Sequence, residues 1–113
     1  MSIGSYGEEI AATYLEKKGY RIIDRNFRGK TGEIDLIACR ERTLVFVEVK
    51  TRRNLSYGLP CESITEEKKR HIRSTAALYT QKYKLFNVPQ RIDVVEILMN
   101  DGRNYVKHIE NAF

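Results

Sequence analysis

The sequence predicts an α/β fold in which a central mixed sheet is flanked by helices, with the element order α-β-β-β-α-β. Three observations carry this. Two stretches, residues 5–18 and again from Thr65 to Tyr83, repeat apolar residues at helical spacing. Between and after them lie short runs rich in β-branched and aromatic residues. One of those runs, residues 44–51, is apolar on both faces for most of its length, the mark of a central strand covered from both sides.

Residues 5–18 are expected to form the first helix. Ser5 is the expected N-cap, Ser5 and Glu8 fit a capping box, and Ala11, Ala12, Tyr14 and Leu15 form the apolar stripe. Gly19 suits the left-handed position after the helix. Residues 20–27 read as a strand and 28–32 as a turn; 33–40 and 43–52 read as an antiparallel hairpin. Asn54, Gly58 and Pro60 mark 53–64 as a loop. Thr65 caps the second helix, Glu66 and Glu67 sit at its positive end, and Ile72, Ala76, Tyr79 and Tyr83 are expected to face the core. Residues 91–99 form a fourth strand, Asn100-Asp101-Gly102 a turn, and 104–110 offers a last short strand.

With 113 residues the chain has the size of one domain, 1–113. A composition of 42% hydrophobic and 31% charged residues excludes a disordered tail, and the longest apolar run, Leu44 to Val47, is far short of a bilayer span. No secretory pattern opens the sequence, and Cys39 and Cys61 lack metal-binding spacing, so reduced thiols and a cytoplasmic location are expected. The net charge of +5 is uneven. Residues 21–30 set Arg21, Arg25, Arg28 and Lys30 against Asp24 alone. Residues 66–86 set Lys68, Lys69, Arg70, Arg73, Lys82 and Lys84 against Glu66 and Glu67. Two such blocks suit a polyanion such as nucleic acid; on charge alone, a solubilising surface is the alternative.

The anomaly lies in the hairpin. Strand alternation puts Glu33, Asp35 and Ile37 on one face, and Leu44, Phe46, Glu48 and Lys50 on one face of the next strand. Pairing brings Asp35 and Glu48 to the same sheet end. Buried charges cost several kcal/mol unless they are paired or hold a metal. One reading is an ion pair with Lys50 where the sheet meets solvent. The other is a metal site, in which two carboxylates offer hard oxygen ligands for Mg²⁺ and the lysine orients or deprotonates a water or stabilises developing charge. Glu8 shares a helix face with Ala12 and Leu15, at the core-facing edge.

Asp35 followed by Glu48-Val49-Lys50 resembles the PD-(D/E)xK nuclease motif, with Ile34 in place of its proline. The wider match runs through Gly7-Glu8, Ala11-Ala12, Tyr14-Leu15, Gly19-Tyr20, Arg25-Asn26, Gly32 to Ala38, Leu44 to Arg52, Asp93-Val94-Val95 and His108 to Phe113. Those stretches resemble the YraN family over essentially the whole chain. The resemblance implies a restriction-endonuclease-like αβββαβ core. It also implies a site similar to that of archaeal Holliday-junction resolvases, with Glu8, Asp35, Glu48 and Lys50 catalytic. Asp35, Glu48 and Glu8 are then the ligands of Mg²⁺, for which Mn²⁺ can substitute.

The expected function is a metal-dependent DNA endonuclease that hydrolyses phosphodiester bonds, on branched or recombination intermediates. The alternative is a non-catalytic nucleic-acid-binding module on the same fold. In either case Arg28, Lys30, Arg52, Arg53, Lys68, Lys69, Arg70 and Arg73 are the expected phosphate contacts. A homodimer, by analogy with the resolvases, would present two sites to two strands. His71 and His108 are expected at the surface, Cys39 as a small packed thiol, and Tyr57 as a residue free to stack on a base.

Overall fold

The structure, a computed structural model, describes residues 2–53 and 64–113. Helix α1 (Ile3–Lys17) is followed by β1 (Arg21–Arg28), β2 (Glu33–Arg40), β3 (Thr43–Arg52), α2 (Glu66–Lys82), β4 (Gln90–Asn100) and β5 (Arg103–Ile109). The described strands form one sheet in the order β1-β2-β3-β4-β5. Hairpins join the antiparallel pairs, whereas β3 and β4 pair in parallel, which requires the crossover that α2 provides. This mixed sheet is the αβββαβ restriction-endonuclease-like core with the expected last strand present as β5. Tyr57 and Cys61 lie outside the described residues.

The two helices cover opposite faces. On one, Ala11, Ala12 and Leu15 of α1 bury against Leu36, Ala38, Val45, Val47, Val95 and Ile97. On the other, Ile72, Ala76 and Tyr79 of α2 bury against Ile37, Leu44, Phe46 and Ile92. Tyr79 meets Phe27 and Phe46 edge-on, with ring centroids 4.9 and 5.9 Å away. Tyr83, expected in the core, is 47% exposed, because it is the C-cap of α2 and the core position is already filled by Tyr79.

The start of α1 also differs from expectation. Ser2, not Ser5, is the N-cap, and its hydroxyl accepts the Ser5 N–H at 3.1 Å. Starting earlier adds backbone bonds such as Tyr6 N–H to Ser2 C=O at little further entropic cost once the helix is nucleated. Glu8 therefore lies beyond the first turn and takes no part in capping. Gly7 sits where α1 touches β3; a Cβ there would stand 2.0 Å from Thr51 Oγ1.

His108, expected at the surface, is buried on the α1 face. The β4–β5 register pairs it with Val95, and its ring meets the edges of Tyr14 and Tyr20. Its Nε2 lies 2.7 Å from Oδ2 of Asp93, which is itself fully buried. Asp93 also accepts from Arg91 Nε at 2.9 Å, Arg91 Nη2 at 3.1 Å and the Asn111 N–H at 3.0 Å. Burial pushes this carboxyl up, but the His108, Arg91 and Asn111 hydrogen bonds outweigh it and hold it below the usual carboxylate range.

Two outcomes follow from this packing. Gly7→Ala should lower stability by about 2 kcal/mol in denaturant unfolding, with part of the loss recovered by adding Thr51→Ala. Asp93 contributes stability that is present above its unfolded pKa and lost as pH falls through its lowered native one. Asp93→Asn should therefore cost about 3 kcal/mol at neutral pH, and the deficit should shrink in unfolding curves recorded below about pH 4.

Candidate functional site

The site forms where the central hairpin stops pairing. The β2–β3 register runs from Arg40 and Thr43 to Leu36 and Val47 and ends there. The next donor of β3, the Val49 N–H, is taken by the Asp35 carboxylate instead, at 2.7 Å. Asp35 thereby reaches across to β3 beside Glu48. Glu48 is 5% exposed, two residues along from Phe46 on the face that α2 covers. Lys50 follows on the same face with Nζ 4.0 Å from Glu48 Oε1, and Lys68, from the first turn of α2, brings its Nζ to 3.0 Å of the same oxygen. A cavity of about 360 Å³ opens here, lined by Asp35, Glu48, Lys68, Glu33, Glu67 and His71 among others.

The electrostatics set these groups apart. Burial, then the neighbouring Glu48 charge, pushes the Asp35 carboxyl up to about 7, against the single opposing hydrogen bond from Val49. Burial lowers the Lys50 ammonium, helped by the like charge of Lys68 and opposed by Glu48. Burial also works against the Lys68 ammonium, but its hydrogen bond to Glu48 and that carboxylate's charge prevail and raise it. Perturbed acids and lysines gathered at one cavity are the electrostatic signature of a functional site.

Glu8 arrives from α1, on the opposite face of the sheet. It is half-buried, and its carboxyl is raised by burial and the charge of Glu33, against a hydrogen bond from Asn26. Its charge is felt at Asp35 and Glu48. Among the described residues, no three His, Cys, Asp or Glu side chains stand close enough together to hold a metal ion in this arrangement. Asp35 and Glu48 with Lys50 are thus brought together as expected, and Glu8 stands near them without completing a ligand set. Two carboxylates nevertheless suit Mg²⁺, which uses one or two with several waters. Burial first and the Glu48 charge second raise the Asp35 carboxyl, and the second of these is what such a cation would relieve.

The expected phosphate contacts divide. Lys30, Arg70 and Arg73 are exposed, Arg73 with its guanidinium over the Phe113 ring. Arg28 is 81% exposed but paired with Glu33, and Lys69 is paired with Glu66. Arg52 ends β3, and Arg53 lines a separate groove with Ser2, Tyr6 and the β4–β5 turn. Lys68 sits on Glu48 instead of at the open surface.

Residues 7–97 match the family model described as Uncharacterised protein family UPF0102. The chain belongs to this family. A UPF0102 protein of Caldicellulosiruptor saccharolyticus is 48% identical over 113 residues, covering 98% of this chain and 96% of its own. One of Syntrophomonas wolfei is 45% identical over 111 residues, covering 98% and 96%. One of Pelobacter propionicus is 50% identical over 113 residues, covering 97% and 81%. The UPF0102 match spans Glu8, Asp35, Glu48, Lys50 and Lys68.

Two residues of this region escape sequence reasoning. Glu96, buried on β4, is aligned with Lys50 in the parallel ladder and so projects to the same face. Its signal was a charge set among Val94, Val95, Ile97 and Leu98. Asn26, the partner of Glu8, has φ 51° within β1. An asparagine, poor in strands and tolerant of that conformation, was the available clue.

Because Asp35 binds its proton more tightly folded than unfolded, stability falls as pH rises from about 4 through about 7. In metal-free buffer Asp35→Asn should therefore be more stable than wild type at pH 8, by about 1–3 kcal/mol, and the advantage should vanish near pH 4 in pH-resolved unfolding.

Proposed function

We propose that the protein is a cytoplasmic, metal-dependent DNA endonuclease that hydrolyses phosphodiester bonds, with branched or recombination intermediates as the first substrates to try. The observation that carries this reading is the meeting of Asp35, Glu48 and Lys50 at one sheet end, beside a cavity that the N-terminus of α2 lines with Lys68. Asp35 and Glu48 would hold Mg²⁺ or Mn²⁺, and Glu8, whose charge acts on Asp35, would add to the field that attracts the cation. A bound divalent cation supplies Lewis-acid activation of the phosphodiester. Lys50, its ammonium lowered by burial, orients or deprotonates the attacking water or neutralises the charge that develops on the phosphate. Lys30, Arg70 and Arg73 hold the flanking backbone, a role that carries no sequence preference.

A second reading, a nucleic-acid-binding module that does not cleave, is favoured by one observation: the Lys68 ammonium already neutralises Glu48 without a metal.

The two separate in one experiment. Wild type and Lys50→Ala are compared on linear duplex, single-stranded, flap and four-way-junction DNA, with and without Mg²⁺ or Mn²⁺. The endonuclease reading expects metal-dependent cutting that falls by about 100-fold or more in Lys50→Ala with DNA affinity little changed. Binding without cutting on every substrate selects the module, and equal cutting by both proteins removes Lys50 from the site.

A further inference from the structure

We propose that Lys68 is a resident counter-ion that occupies the Glu48 carboxylate until a divalent cation displaces it. The inference rests on the reading of Glu48 as a metal ligand and adds a competitor to it.

Glu48 needs a cation whether or not a metal is present. It is 5% exposed, and a carboxylate so buried is costly to leave uncompensated. Lys50 is a poor compensator, since its Nζ reaches only 4.0 Å from Oε1. Lys68 reaches 3.0 Å, with the length of a charge-assisted hydrogen bond that 4.0 Å does not have.

The placement of Lys68 makes it displaceable. It comes from α2, not from the strand that carries Glu48. Its side chain is 44% exposed, whereas that of Lys50 is 21% exposed. Its ammonium sits at the end of a flexible four-carbon stem and can rotate into the cavity it lines, where it regains water or meets a phosphate. A metal ion and an ammonium on the two oxygens of one carboxylate still stand close enough to repel each other, so each weakens the other's hold on Glu48. The helix holds Lys68 over the site through its N-cap, where Thr65 Oγ1 accepts the Lys68 N–H at 3.1 Å. The position of the residue is thereby fixed while its ammonium remains free to move.

The test is Mn²⁺ binding at constant ionic strength, read as free Mn²⁺ by electron paramagnetic resonance. The proteins are wild type, Lys68→Met, Lys68→Gln, Lys68→Arg, Lys69→Met and Glu48→Gln, with folding checked by circular dichroism. Lys68→Met and Lys68→Gln should bind Mn²⁺ roughly tenfold more tightly than wild type, the gain expected from removing one charge-assisted hydrogen bond. Lys69→Met, which removes the same charge one residue away, should change affinity far less, and Lys68→Arg should stay near wild type. Damage to the fold would weaken binding, so tightening cannot come from it. The inference falls if both neutral Lys68 variants bind no tighter than wild type, or if Lys69→Met tightens binding equally, while Glu48→Gln abolishes it; the metal-site reading then stands. If wild type binds no Mn²⁺, or Glu48→Gln binds as wild type does, the metal-site reading fails and takes the inference with it.

Discussion

A carboxylate on the middle strand of the sheet, Glu48, is the constraint around which one end of this molecule is arranged. A central strand must be apolar on both faces, and β3 is so from Leu44 to Val47. The charge at Glu48 therefore arrives before the strand has left the interior and has to be met by a cation from another element. Lys68 meets it only if the start of α2 stands over β3. That position is held from below by Ile72, Ala76 and Tyr79 against the Phe46 face of the sheet. It is held from the side by the β1–β2 turn. A Cβ on Gly29 would meet Leu78 Cδ2 at 2.9 Å, and one on Gly32 would meet the His71 Cβ at 3.4 Å. The turn presses on the helix, the helix delivers the lysine, and the gap left beneath is the cavity.

The order of elements and the central place of β3 were readable because each has a local signature: apolar period, turn residues, and a strand greasy on both sides. Asp35, Glu48 and Lys50 were readable for the same reason. Charges on a core strand violate the pattern, and violations concentrate at sites of function or strain. What escaped depends on long-range geometry. Two serines three apart can each cap α1, and only the finished helix decides for Ser2. Lys68 has a surface residue's sequence context, and its pairing with Glu48 follows from the tilt of α2 across the sheet. His108 looks isolated in sequence because its partners, Asp93, Tyr14 and Tyr20, come from β4, from α1 and from the residue just before β1.

Two aspartates, Asp93 fully buried and Asp35 half-buried, show two ways of meeting a charge inside the sheet. Asp93 and Asp35 both lie in the sheet, and burial pushes both carboxyls up. Asp93 is surrounded by donors, two from Arg91, one from the Asn111 backbone and the His108 ring. They reverse the effect of burial and hold the carboxylate in its charged form, where it ties Asn111 to β4. Among the described residues Asp35 has one such bond, the 2.7 Å contact from the Val49 N–H, and the charge that acts on it most strongly is another carboxylate, Glu48. Its negative charge is thus only partly met, at the edge of a space large enough for an ion and its waters. Evolution or design could stabilise that end simply by adding a donor, as at Asp93. The arrangement instead leaves Asp35 with fewer donors than Asp93 and beside an open space, and that contrast is what the proposed metal site rests on.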